Sequence, residues 1–403
     1  MANIQSVKTK IQGLIDKANT TTGGSDTDLT TAMDNLIDGY GSGGFDPTDG
    51  IERAINFFDT MGNLLYSYTR AEIKKLEALP EVPELEGFAK NGWSSTLEEL
   101  KLVETYKDVA PIYTKNGSTA NILVLETAND ISVNLGIKLP GVDYKVAIDW
   151  GDGSAEETVT GSSSSSSYCK GVTHTYSTTG IYYINIRTIS CPMEGYITVG
   201  ATGYGSTYYP IVGSSFTSSA LKPHRSYSIP QYSLLAVNTP LLGVSVLSEH
   251  YALKFVNAST LSIGYSNYFM FNPRLERIMG LITSSNNGTY FGYYCHSLKR
   301  LTVMSQLSLS TTGAFRHSKE LEELFITRIQ TAGLTSASVG VPLKAKRVII
   351  DDRISSPINL VSGTPVETDA IYVPDAQIDV FRANTTWAEH IDKFKPMSEY
   401  PDY

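Results

Sequence analysis

A short hydrophobic pattern recurs in the C-terminal half of the chain and strongly constrains how the chain can fold. The pattern is Leu-x-x-Φ, where Φ is an apolar residue, and it begins at Leu275, Leu298 and Leu321, which are equally spaced. Related runs at Ala345 and Thr368 continue the series at almost the same interval. A short fixed period, with one strand-forming stripe per unit, is typical of repeats that stack their strands into a parallel sheet. The sequence therefore predicts five stacked parallel strands.

The residues around these stripes indicate which kind of repeat the sequence resembles. Ala314–Leu324 has the order Ala-Phe-x-x-Ser-x-x-Leu-x-x-Leu, and an Ile-Tyr-Val-Pro segment precedes Trp387. This order resembles the BspA-like leucine-rich repeats of bacteria. The resemblance implies a leucine-rich-repeat β-solenoid over residues 201–385, followed by a C-terminal cap and tail over 386–403 in which Trp387 is buried. Residues 204–268 keep no clear register, so the repeat count there stays open.

Three motifs in the middle of the chain occur in a defined order. A strand runs into a Trp-Gly-Asp-Gly-Ser turn at Val146–Ser154, followed by His174–Tyr176 and by Gly180–Ile186 with alternating apolar residues. This order resembles the β-sandwich of the polycystic-kidney-disease (PKD) type. The resemblance implies an immunoglobulin-like spacer or adhesion module over residues 115–200. The serine tract Ser162–Ser167 is expected in a loop between the motifs.

Residues 46–114 are expected to form a small β-rich module. Ala54–Tyr68 alternates around a Met-Gly-Asn turn, which predicts a hairpin. Thr69 and Glu72 have the spacing of a capping box, which predicts a helix start at that point. The segment Leu85–Trp93 resembles the small β-grasp repeat of bacterial surface proteins.

Residues 1–45 are expected to form two short helices that dock onto a partner or onto copies of themselves. Their apolar residues have the spacing of a coiled-coil seam or an amphipathic stripe. The assembly residues of the first helix are Ile4, Val7, Ile11 and Leu14. A homo-oligomer is therefore expected, with a trimer favoured. The segment also resembles the start of structural proteins from tailed phages and prophages of Gram-positive gut bacteria, which implies that it attaches the chain to other virion proteins.

Charge and hydropathy argue against several kinds of partner. The formal net charge is −9 and only 18% of residues are charged, which does not favour nucleic-acid binding through basic patches. No apolar run is long enough to span a bilayer, so no membrane insertion is expected, and the polar N-terminus predicts no Sec export. Cys169 and Cys191 could form a disulfide, but free thiols are favoured.

The sequence contains no motif that predicts an enzyme, a cofactor or a metal site. Its histidines lack metal-ligand spacing, and they are His174, His224, His250, His296, His317 and His390. Asp149 and Asp152 could form a calcium pair, although their place in a tight turn favours hydrogen bonds to backbone N–H groups. A glycoside hydrolase stays an alternative, because its carboxylate pair would be set by the fold and not by spacing.

These observations predict a mainly β, multidomain protein of binding or structural type. The preferred hypothesis is a phage virion structural protein, most simply a tail-fibre or receptor-binding protein. It would hold a host-surface glycan or protein through its C-terminal repeats. The candidate ligand-binding residues are the tyrosines that precede two of the repeats, since tyrosine rings stack on sugars and anchor protein partners. They are Tyr265, Tyr268, Tyr290, Tyr293 and Tyr294.

Two alternatives use the same modules. The protein could be a fibre that decorates the capsid or collar, or a bacterial surface adhesin exported by a non-classical route. A virion protein is preferred because it is assembled in the host cytoplasm and needs no export signal. The expected location is therefore the virion, in its tail or another appendage.

Overall fold

The computed structural model shows a mainly β protein. It describes residues 53–139, 141–161, 170–191, 198–199, 232–245, 252–262, 272–283, 295–303, 321–326, 345–350 and 366–401. The chain divides into two compact units, Met1–Ile51 and Glu52–Tyr403, and all described residues belong to the second. Three sheets contain the strands of these residues, and the helices among them are short.

The first six strands form two small sheets, which we call the N-terminal module, residues 53–119. Its elements are β1 (Ile55–Phe58), β2 (Leu64–Tyr68), α1 (Arg70–Ile73), β3 (Ala89–Trp93), α2 (Leu97–Lys101), β4 (Lys107–Val109), β5 (Pro111–Lys115) and β6 (Ser118–Thr119). The sheet orders are β2-β1-β4 and β3-β5-β6. The antiparallel pairing of β1 with β2 confirms the predicted hairpin, and Thr69 and Glu72 form the predicted capping box.

The next seven strands begin a third, much larger sheet. They are β7 (Ile122–Thr127), β8 (Ile131–Lys138), β9 (Lys145–Asp149), β10 (Glu157–Thr160), β11 (Lys170–Tyr176), β12 (Gly180–Ser190) and β13 (Thr198–Val199). One antiparallel run has the order β10-β9-β12-β7, and a second has the order β11-β8-β13. Buried side chains of both runs, such as Leu123, Leu135 and Ile184, share one core with Trp150.

The last eight strands continue the same sheet as a parallel series, which we call the ladder. They are β14 (Tyr232–Ser245), β15 (Phe255–Ser262), β16 (Arg277–Thr283), β17 (Arg300–Val303), β18 (Glu323–Ile326), β19 (Arg347–Ile350), β20 (Ala370–Val373) and β21 (Phe394–Pro396). Each is parallel to the next. Strands therefore lie at all five predicted positions, β16 to β20, and residues at the same place in successive repeats pair with one another.

One face of the ladder buries a column of aliphatic side chains. Residues in register on successive strands include Val256, Ile278, Leu324, Val348 and Ile371. Each of these is at most 5% exposed. Because every strand of a stacked parallel sheet contributes one residue to each column, a periodic sequence builds one continuous core. The helix α3 (Ile378–Arg382) and a 3-10 segment (Thr385–Lys393) close its far end, where Trp387 is buried as expected and Phe394 is buried with it.

Strand β14 joins the antiparallel and parallel parts of the sheet. Its first half pairs with β7 and its second half pairs with β13, so it contacts both antiparallel runs. Between the halves, the side-chain oxygen of Asn121 accepts hydrogen bonds from the backbone of Leu241 and Leu242 at 3.0 and 3.2 Å. The Asn121 amide also donates to the Ile186 carbonyl, 3.0 Å away. One fully buried asparagine thus holds the point where the chain changes partners.

The N-terminal module packs on the opposite face of the ladder. Phe58 of β1 contacts Phe255 of β15, with ring centroids 5.9 Å apart, and both side chains are buried. The turn between β1 and β2 approaches the same strand closely, because a Cβ atom added at Gly62 would lie 2.4 Å from the Phe255 Cβ. Gly62 also has a φ of +79°, so two independent constraints require glycine there.

We predict that Gly62→Ala destabilises the protein by about 3 kcal/mol, from backbone strain and overpacking together. The matched control is Gly92→Ala, where φ is +97° but no atom lies within 4 Å of the added Cβ. This control should cost about 1 kcal/mol, from backbone strain alone. Urea unfolding of both variants measures the difference. Equal losses would show that the module does not press on Phe255 in solution.

We predict that residues 201–403 expressed alone do not form the stable ladder of the full chain. The truncation removes β7, the antiparallel partner of β14. It also exposes Phe255 and the buried charged residues Arg277, Arg300 and Glu323. Hydrogen exchange of β14 to β16 in the fragment and in the full chain tests this directly. Equal protection in the two proteins would contradict the expectation, because the ladder would then need neither β7 nor the module.

Candidate functional site

The face of the ladder that the module covers carries a column of charged residues. Arg277, Arg300, Glu323 and Arg347 are in register on four adjacent strands. Arg277, Arg300 and Glu323 are 1%, 3% and 0% exposed. Charged side chains are rarely buried unless they are paired, because removing them from water costs several kcal/mol each. These buried charges therefore require partners within the protein.

The module provides an acidic partner for this column. Asp108 of β4 lies 3.3 Å from Arg277 through its Oδ2 atom and 3.4 Å from Arg300 through its Oδ1 atom. Its Oδ1 atom also accepts a hydrogen bond from the Asn56 side chain at 3.0 Å. The parallel pairing of β1 with β4 places Asn56 directly beside Asp108. Two strands of the module thus aim one carboxylate at two arginines of the ladder.

Glu323 is the second acidic group of the network. Its carboxylate lies 2.9 Å from Arg300 Nε and accepts a hydrogen bond from Arg347 Nε at 3.0 Å. The hydroxyl of Tyr400 also donates to it. Arg70 of α1 in turn donates to the Tyr400 carbonyl at 2.6 Å. The network therefore connects the module, the ladder and the C-terminal residues.

Aromatic rings enclose the two most buried arginines. The Arg277 guanidinium lies 5.6 Å from the Phe58 ring centroid, and the Arg300 guanidinium lies 4.8 Å from that of Tyr106. Tyr106 also meets Phe325 edge to face, with centroids 6.2 Å apart. Cations are attracted to the faces of such rings, and the rings exclude water from the ion pairs. The low dielectric then strengthens each charge interaction inside the cluster.

Burial and mutual charge perturb the ionisation of the network. Burial raises the pKa of Asp108, against the opposing effects of Arg300 and Asn56. Burial and the neighbouring Arg300 lower the pKa of Arg277 to about 9, so the guanidinium stays protonated at neutral pH. Burial alone would lower the pKa of Arg300, but Asp108 and Glu323 outweigh it and raise that pKa. Burial and Glu323 raise the pKa of Tyr400, which keeps its hydroxyl a donor.

This network is suited to holding parts of the chain together and not to catalysis. Arg277, Arg300, Asp108 and Glu323 have side chains at most 7% exposed, so a substrate in solvent cannot reach them. Their charges are directed at one another across the contact between module and ladder. Perturbed pKa values often mark active sites, but structural ion-pair networks produce them too. Accessibility decides between the two interpretations in this case.

The site residues proposed from the sequence lie outside the described part of the chain. The candidate ligand-binding tyrosines are Tyr265, Tyr268, Tyr290, Tyr293 and Tyr294. The assembly residues are Ile4, Val7, Ile11 and Leu14. Both sets, and Cys169, fall in segments that the structure does not describe. These proposals therefore stay predictions.

The turn that contains Asp149 and Asp152 is described. Asp149 accepts a hydrogen bond from the Gly151 backbone at 2.9 Å, and Asp152 accepts one from the Ser154 backbone at 3.0 Å. Asp152 also lies 2.7 Å from His174 Nε2. Both carboxylates thus make the turn-stabilising contacts that the sequence favoured. Within the described ranges, no group of three or more His, Cys, Asp or Glu side chains could hold a metal ion.

Comparison with protein-family models, curated protein sequences and solved structures finds no match to this chain. Among the described residues, no helix is long and apolar enough to cross a membrane. The functional interpretation therefore depends on the residues and their geometry.

Sequence reasoning missed the charged column, although a signal for it was present. Arg277, Arg300, Glu323 and Arg347 occupy the same position in successive repeats, shortly after the repeated frame begins. Charged residues at alternate positions of a strand usually face solvent, so the sequence alone predicts that this position is exposed. The position is buried because residues remote in sequence pack over it, among them Asp108, Tyr106 and Tyr400.

We predict that Asp108→Asn costs about 3 kcal/mol of stability, because it leaves two buried arginines without their shared carboxylate. Asn keeps the size and the contact with Asn56, so packing changes little. Asp143→Asn, at an exposed position, is the control and should change stability by less than about 0.5 kcal/mol. Chemical denaturation measures both. A near-zero effect of Asp108→Asn would mean that the ion pairs contribute nothing to the contact.

Proposed function

We propose that the protein is a structural protein of a tailed-phage virion, acting as a tail fibre or receptor-binding protein. In this proposal residues 1–45 attach it to other virion proteins, and its C-terminal repeats hold a host-surface glycan or protein. The ladder is then a BspA-like leucine-rich-repeat domain, and β7–β13 a PKD-like sandwich. The described residues support a binding or structural role, since their most perturbed charged groups are sealed inside the protein.

The observation that carries this proposal is the regular ladder itself. Its strands recur once per sequence repeat from β16 to β20, and one continuous core lies beneath them. Such a scaffold leaves the segments between strands free to vary in sequence without disturbing the core. Repeat scaffolds of this kind commonly serve recognition, because they present many adjacent connections.

The structure also bears on which surface would contact a receptor. The module covers the sheet face at β15 to β18, where Phe255, Arg300 and Glu323 are buried. That face is therefore closed to a partner, and recognition would fall to the connecting segments. The connection from β15 to β16 contains Tyr265 and Tyr268, and the next contains Tyr290, Tyr293 and Tyr294. Both connections begin and end on adjacent strands, which supports a shared tyrosine-rich surface.

Binding of the labelled full chain to a panel of intact Gram-positive gut bacteria tests the proposal. We expect strain-selective binding that falls at least about tenfold in Tyr290→Ala/Tyr293→Ala/Tyr294→Ala, as for loss of central aromatic anchors. The control is Val142→Ala/Ile181→Ala/Ile189→Ala, which truncates three side chains that are 45–49% exposed outside the ladder. This control should bind like the original protein.

The outcomes separate the alternatives. Binding that the tyrosine variant retains would place the receptor contact elsewhere on the chain. Binding to no strain would contradict the receptor-binding role and favour a fibre that decorates the capsid or collar. In that case, partners should be sought among other virion proteins.

A further inference from the structure

A row of charges with alternating sign runs along one edge of the ladder. Its members immediately precede the strands β15 to β20, one residue per strand, and we call them the edge row. They are Lys254, Glu276, Lys299, Glu322, Lys346 and Asp369. Read in this order, their charges are positive and negative in strict alternation over six successive strands.

Backbone hydrogen bonds hold this row in register. The Glu276 N–H donates to the Lys254 carbonyl at 2.9 Å, and the Glu322 N–H donates to the Lys299 carbonyl at 2.8 Å. Similar bonds join Lys299 to Glu276 and Asp369 to Lys346. Neighbouring strands of a sheet are roughly 4.8 Å apart, so six members span roughly 24 Å. The sheet therefore fixes the spacing of the row from strand to strand.

The charges of the row lie at the surface, unlike those of the buried column one residue further on. The side chains of Lys346 and Glu322 are 60% and 36% exposed, and their charged atoms are 3.6 Å apart. Lys254 donates to the Asn63 side chain of the module at 3.0 Å. No member of the row is buried. Lys346 and Glu322 therefore stabilise one another, and a molecule in solvent can still contact them from outside.

The order of signs makes the row complementary to itself when it is reversed. Two copies related by a two-fold axis perpendicular to the row would place Lys299 opposite Glu322, Glu276 opposite Lys346 and Lys254 opposite Asp369. We infer that the edge row is a docking surface for a second copy of this chain, in this antiparallel orientation. A two-fold contact is isologous, so each pair occurs twice and the six residues of each copy are matched.

The same pattern rejects a parallel two-fold dimer, in which the two rows would be in register. With the rows aligned in the same direction, lysine would face lysine and carboxylate would face carboxylate on every strand. Exposed ion pairs each contribute at most about 1 kcal/mol, and the contact is narrow, so the association is weak and sensitive to salt. Its main consequence is orientation, because the signs permit only the antiparallel one of the two possible two-fold dimers.

Mixing two charge-reversal variants of the full chain tests the inference. Lys299→Glu alone places two carboxylates face to face in a dimer, and Glu322→Lys alone places two lysines face to face. In a mixed dimer, the new glutamate faces the new lysine and the native pair is also kept. We expect the mixture, at roughly 0.05 M salt, to associate about tenfold more tightly than either variant alone, and this advantage to vanish near about 1 M salt. Energy transfer between donor-labelled and acceptor-labelled chains measures it.

The design separates docking from stability. Each reversal also disturbs neighbours within its own row, but mixing cannot repair that disturbance. Lys346→Glu with Glu276→Lys provides a second facing pair that should behave in the same way. Lys74→Glu with Glu77→Lys, exposed on the module, is the control and should show no preference for the mixture. Equal association of mixed and single variants, or association in none of them, would overturn the inference.

Discussion

The burial of charge between the module and the ladder is the constraint on which the rest of the structure depends. Arg277, Arg300 and Glu323 lie on strands whose other face is an aliphatic core, so these strands are enclosed on both sides. Isolated ions in such a place would destabilise the fold by several kcal/mol each. Asp108 supplies the missing negative charge, and Tyr106 and Phe58 exclude water. The ladder is therefore complete only when the module is docked on it.

This dependence makes the chain less modular than its sequence suggests. Strand β14 uses β7 as its antiparallel partner, and Phe255 shares a core with Phe58, Ile122 and Val124. The Tyr400 hydroxyl donates a hydrogen bond to Glu323, and the Tyr400 carbonyl accepts one from Arg70. Residues from the N-terminal module and from the C-terminus thus join one network. Contacts this distant in sequence close long loops, which slows folding and couples the elements they join. A segment chosen from motif boundaries would cut through these contacts.

The sequence predicted those strands, turns and helices that are specified by residues close together in the chain. The strands near Leu298 and Leu321 follow from a repeated stripe, the hairpin around Gly62 from turn chemistry, and the helix after Thr69 from its capping box. Docking of the module was not predictable in this way, because Asp108 carries no local sign of its distant partners. The candidate tyrosines remain a hypothesis for the same physical reason, since their surroundings are set by connections and not by the repeat.

Two adjacent positions at the beginning of a ladder strand lie in different environments. Lys299 and Arg300 are consecutive and both cationic, yet the first is partly exposed and the second is 3% exposed. Lys299 precedes β17 at the edge of the ladder, whereas Arg300 is the first residue of the strand and lies against the module. In the buried position a charge must find its partner within the same chain, because desolvation forbids any other state. In the exposed position a charge can also pair outside its own chain, and in a two-fold dimer the alternating signs from strand to strand favour the reversed orientation of a second row.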